Sequence, residues 1–124
     1  MKIQKKRPTI VFDFDGVIHS YTSGWKGDST IADPPTEGIN FAIYDLQKDY
    51  EIVIVSTRCR TEEGRNAIIK WCNQHGIYFD KVMAEKPPAV CYIDDRAICF
   101  DGNASSLPEK VRNFKSWCEV DTDA

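Results

Sequence analysis

The sequence has no apolar run approaching the roughly 18 residues that a membrane span needs, so no membrane-crossing helix and no membrane partner are expected. It has no CxxC pair either. The five cysteines, at 59, 72, 91, 99 and 118, are an odd count without the spacing of a zinc or redox site. Cys91 and Cys99 fall in apolar stretches, where a reduced cysteine behaves as a small hydrophobe, and all five are read as structural or incidental. Positive charge is not in excess: 16 lysines and arginines against 19 acids give a net charge of −3, which leaves the molecule as a whole without a basic footprint for nucleic acid. The one local exception, Lys2, Lys5, Lys6 and Arg7, reads as a solvated lead-in to the first strand. The same stretch lacks the apolar segment of a signal peptide, so a cytoplasmic location is expected. Repeats and low-complexity segments are also missing.

What remains is the composition of a small globular protein. The apolar fraction is 42%, ordinary for a folded chain, and 124 residues suit a single domain, 1–124. Thr9-Ile10-Val11-Phe12 is a short apolar run rich in β-branched residues and reads as a buried parallel strand. From His19 to Pro35 the chain is polar and turn-rich, which predicts a long loop or small hairpin of the kind that usually carries function. Pro34-Pro35 precede a helix whose apolar positions are Ile39, Ala42, Ile43 and Leu46. Ile52-Val53-Ile54-Val55 is a second buried strand. Thr61, followed by Glu62 and Glu63, starts a second helix with a cap and acids where the dipole favours them, and Gly76 ends it.

Tyr78 to Met83 predicts a weaker third strand, Ala89 to Ile93 a fourth, and Ala97-Ile98-Cys99-Phe100 a short fifth. Pro108 opens a last helix through Val111, Phe114 and Trp117, and both Trp71 and Trp117 are expected in the core. The order of elements implies an α/β fold, a three-layer α/β/α sandwich on a mainly parallel sheet of about five strands.

Carboxylates fall at the ends of these strands. Asp13 and Asp15 follow the first, Ser56 the second, and Asp94 and Asp95 the fourth. In an open α/β sheet the carboxyl ends of the strands converge on one crevice, so four acids and a hydroxyl meet there. Such a group repels itself unless a hard, oxygen-seeking cation such as Mg²⁺ sits among them. An EF-hand reading of the DxDG pattern fails: aligning Gly16 with that loop's glycine puts Val11 and Thr22 at its first and last ligand positions.

Asp13-Phe14-Asp15-Gly16-Val17 after an apolar strand, Ser56 after a second, Lys86, and Ile93-Asp94-Asp95-Arg96 resemble, in order, the four motifs of the haloacid dehalogenase (HAD) superfamily. The resemblance runs from about Thr9 to Phe100. It implies a Rossmann-like HAD fold and a magnesium-dependent phosphatase working through an aspartyl-phosphate. In that family's scheme Asp13 is the nucleophile. Asp15 protonates the leaving oxygen and then activates water, and its backbone carbonyl ligates the metal. Ser56, with backbone N–H groups including that of Thr57, holds the transferring phosphoryl group, while Lys86 supplies positive charge. The metal set is Asp13, Asp15, Asp95 and Asp94, with Asp95 favoured as direct ligand and the reverse assignment open. His19 and Arg58 are placed at the substrate; as alternatives, His19 caps a turn and Arg58 is surface charge at a helix start. Tyr21 and Trp25 either anchor the loop or form a platform for a substrate ring.

Only about 20 residues separate Asp15 from the first helix, too few for an inserted domain. The resemblance is therefore to a capless member, with residues 19–34 as a short flap. An open site suits a bulky substrate, or closure by a neighbouring subunit of a homo-oligomer. The substrate class implied is a phosphorylated small molecule, a nucleotide or sugar phosphate, or a nucleic-acid end. A phosphotransferase on the same site and a catalytically weak binding module are the alternatives.

Overall fold

The computed structural model describes residues 6–117. Lys2 and Lys5 of the basic cluster, and Cys118, lie outside them. The chain forms strand β1 (Thr9–Asp13), helix α1 (Ile39–Leu46), β2 (Glu51–Val55), α2 (Glu62–His75), β3 (Lys81–Met83), β4 (Cys91–Ile93) and α3 (Leu107–Arg112). Short 3₁₀ turns cover Thr57–Arg60 and Ala104–Ser106. The four strands make one parallel sheet in the order β3-β2-β1-β4.

Strand periodicity divides the core. Ile10 and Phe12 of β1 and Ile52 and Ile54 of β2 point to one face, where they pack with Ile43 of α1 and Ile68, Trp71 and Cys72 of α2. Val11, Val53 and Val55, one residue out of phase, form a smaller cluster on the other face with Met83 and Ala89. Helix α2 follows the expected pattern closely. The Thr61 hydroxyl accepts from the Gly64 N–H at 3.0 Å, Glu62 and Glu63 occupy the first turn, and Gly76 takes the left-handed conformation that ends it.

The other expectations need correction. Sheet strands number four among the described residues, not five: Ala97–Phe100 is irregular, with Cys99 and Phe100 exposed. Cys91 is exposed as well, so neither cysteine is buried as its apolar neighbours suggested. Helix α3 stops at Arg112, buries no residue, and leaves Trp117 beyond it with 59% of its surface exposed. The cause is shared: these segments follow β4, an edge strand, and no further strand pairs with its outer side among the described residues. Arg7 is not merely solvated. It donates to the carbonyls of Gln47 and Tyr50 and to Asp80 at 3.0 Å, tying the end of α1 to the chain before β3.

Candidate functional site

Register brings the acids together. Asp13 lies beside Val55, and Phe12 beside Ile93, so Ser56 and Asp94 continue their strands level with the end of β1. The three neighbouring carboxyl ends face one cleft of about 310 Å³, lined by Asp13, Asp15, Tyr21, Trp25, Ser56, Thr57, Asp95 and Arg96. Asp13, Asp94 and Asp95 each offer an oxygen within 4.8 Å of the others. Burial first, then the charges of Asp94 and Asp95, push the Asp13 carboxyl from an ordinary 3.8 up to about 8. An all-carboxylate donor set that resists full ionisation fits a hard divalent cation, which would relieve the repulsion.

Asp94 and Asp95 are held differently. Asp94 accepts the Arg96 N–H at 2.8 Å and the Lys86 ammonium at 3.2 Å. Asp95 lines the cleft, where its Oδ2 accepts from the Ser116 hydroxyl at 3.0 Å. Its carboxylate also lies close over Gly16, whose backbone has φ +87°; a Cβ built there would come within 2.2 Å of Asp95 Oδ2. The glycine of the DxDG pattern is thus required by the acid of another segment. Trp117 closes the same corner, its indole N–H donating to the Gly16 carbonyl at 2.7 Å. Helical spacing after Pro108 disguised this role, because it assigned Trp117 to a buried helix face.

Ser56 is buried at the end of β2 and caps the following 3₁₀ turn, its Oγ accepting from the Arg58 N–H at 3.1 Å. Thr57 is exposed and lines the cleft. Lys86 does not line the cleft; its ammonium pairs with Asp94 rather than facing Asp13.

Arg58 and His19, placed at the substrate by the sequence reading, lie instead behind Asp15, and burial is the reason. Arg58 is 1% exposed and His19 0%. Arg58 Nε donates to Asp15 Oδ2 at 2.9 Å and Nη2 to Oδ1 at 3.1 Å, while Nη1 donates to the carbonyls of Gly27, Asp28 and Thr30. The guanidinium therefore does two jobs, pairing the acid and fastening the 19–34 loop. His19 Nε2 accepts the Asp33 N–H at 3.1 Å, so its hydrogen sits on Nδ1 and is donated to Asp15 Oδ1 at 2.8 Å. Burial alone would raise the Asp15 carboxyl, but the hydrogen bonds from His19 and Arg58 and the Arg58 charge hold it below its ordinary value.

The loop itself is closed at its base, where His19 bridges Pro35 and the Ser20 N–H donates to the Pro34 carbonyl at 3.0 Å. Asp33 fastens its interior by accepting from the Ser23 N–H at 2.9 Å and the Ser23 hydroxyl at 2.5 Å. Trp25 lies on the outer side, with the Arg58 guanidinium 4.6 Å from its ring centroid. Compared with family models, with curated proteins and with solved structures, the chain matches none.

Proposed function

We propose that the protein is a magnesium-dependent phosphomonoesterase of the HAD type, a capless three-layer α/β/α domain that works through a phosphoryl group carried on Asp13. The observation that carries this reading is the clustering of Asp13, Asp94 and Asp95 at the carboxyl ends of β1 and β4, with Ser56 at the end of β2. Asp13, Asp94 and Asp95 would hold the cation together with the backbone carbonyl of Asp15. When bound, the cation supplies the positive charge that lets a carboxylate approach a phosphate dianion.

The residues then divide the work. An Asp13 oxygen attacks phosphorus, and the bond from phosphorus to the ester oxygen breaks. The leaving oxygen takes a proton from Asp15, which enters this step in its protonated form against the pull of Arg58 and His19. In the second step the Asp15 carboxylate takes a proton from water, which attacks phosphorus. The bond to Asp13 breaks, inorganic phosphate leaves, and both carboxyls return to their starting states. Arg58 and His19 are positioning residues here: they hold Asp15 in place, favour the carboxylate that accepts the water's proton in the second step, and oppose the protonated form that the first step uses. Ser56 and the Thr57 N–H hold the phosphoryl oxygens. Lys86 acts through Asp94, which it orients.

Hydrolysis of a generic aryl phosphate, with and without Mg²⁺, tests the reading. Metal-dependent release of phosphate that Asp13→Asn abolishes while the circular dichroism spectrum is unchanged is the expected result. Full turnover by Asp13→Asn would overturn the nucleophile assignment.

A further inference from the structure

Exposed aromatics are common on this surface, but Trp25 differs from the others in lining the acidic cleft. Trp25 is 53% exposed and lines the cleft that contains Asp13. Its position is set by the buried Arg58, which covers the ring at 4.6 Å and is itself fixed by the Asp15 ion pair and three loop carbonyls. The indole is therefore a braced plane rather than a loose surface side chain, with more than half of its area open. Two further residues with flat side-chain groups line the same cleft, Tyr21 and Arg96. Tyr21 sits there with a left-handed backbone, φ +60°, a conformation that is uncommon for a bulky residue and concentrates at functional sites.

We propose that Trp25 is a stacking platform for a nucleobase, so that the cleft takes phosphate monoesters whose leaving group is a nucleoside. The proposal rests on the phosphatase reading of the cleft and adds the identity of the group next to the phosphate. Base stacking on an aromatic side chain tolerates every base, because each has a flat face. The platform thus selects for a base and not for one particular base. A sugar phosphate without a base would fill the phosphoryl site and leave the indole in water.

Binding is the direct test, because it is read without turnover. The Asp13→Asn protein is titrated in Mg²⁺ with uridine 5′-monophosphate and with ribose 5-phosphate, which share sugar and phosphate and differ by the base. Calorimetry gives the affinities and quenching of tryptophan fluorescence reports the contact. Uridine 5′-monophosphate is expected to bind between about 5-fold and about 150-fold more tightly, the range of one base on one aromatic ring. Adding Trp25→Ala should erase that preference, and Trp25→Phe should keep part of it. Equal binding of the two ligands, or a preference that survives both substitutions, overturns the platform and leaves Trp25 as a cover for the Arg58–Asp15 pair. A 5′-phosphorylated single-stranded oligonucleotide separates the two sources of such a ligand. Tighter binding than the mononucleotide, falling steeply with salt, assigns a strand end; equal binding assigns a free nucleotide. Base-dependent binding by a protein that hydrolyses no phosphate ester would sink the phosphatase reading alone.

Discussion

Arg58→Met removes a charge that the fold has buried and leaves a side chain of similar length. The Asp15 carboxylate then loses two of its three side-chain donors, and the carbonyls of Gly27, Asp28 and Thr30 lose theirs. Removing one partner of a buried ion pair costs about 3–5 kcal/mol, a large share of the roughly 5–15 kcal/mol by which a domain is stable. The effect depends on pH in a way that identifies its cause. Asp15 is held below its ordinary 3.8 in the folded state. Its contribution is therefore complete above that value and is lost as pH falls through the lower, folded-state value. Urea unfolding at pH 7 should show the whole loss, and unfolding near pH 3 a smaller one, because part of the ion pair's contribution has gone by then. The loop gives a second readout: Lys26 is exposed within it, and tryptic cleavage there should accelerate in the variant as the loop loosens. A loss under about 1 kcal/mol at pH 7, or an equal loss at both pH values, would show that the ion pair does not organise this site.

Asp13 behaves in the opposite sense. Its carboxyl is raised to about 8, so without a divalent cation the native state should lose stability as pH climbs from about 4 through 8; Asp13→Asn should flatten that slope in thermal melts across the range. Mg²⁺ should raise the melting temperature of the parent protein, by the equivalent of about 2.7 kcal/mol at a hundred times its dissociation constant. Asp95→Asn should diminish this response, and differential scanning fluorimetry with and without the ion checks it. Gly16→Ala places a Cβ against Asp95 Oδ2 at a positive φ and should cost about 1–2 kcal/mol from the backbone alone. Because Asp95 must also move, the Mg²⁺ response should fall further than stability does, as paired melts with and without the ion would show. Ser56→Ala should lower kcat on an aryl phosphate by about 10²-fold or more, the usual effect of removing one donor to the reacting oxygens, measured by steady-state kinetics.

Much of this was legible in the chain because it is local. Runs of β-branched residues define β1 and β2, and the Thr61 cap with the Gly76 terminus bounds α2. Carboxylates directly after strands reach the same end of a parallel sheet whatever the details of packing, so Asp13, Asp15, Ser56, Asp94 and Asp95 were identifiable as neighbours. Tertiary structure alone decided the rest. A basic residue after a strand reads equally well as a surface charge or a substrate clamp. Only the 43-residue separation closed between Arg58 and Asp15 shows that its guanidinium is buried against an acid. His19 is likewise fixed by Asp33, fourteen residues on. The spacing of Trp117 suited a buried helix face, yet its indole reaches Gly16, 101 residues away. Sequence patterns report which side of an element is apolar; which distant segment completes a polar group's hydrogen bonds depends on loop closure, and no local pattern encodes that.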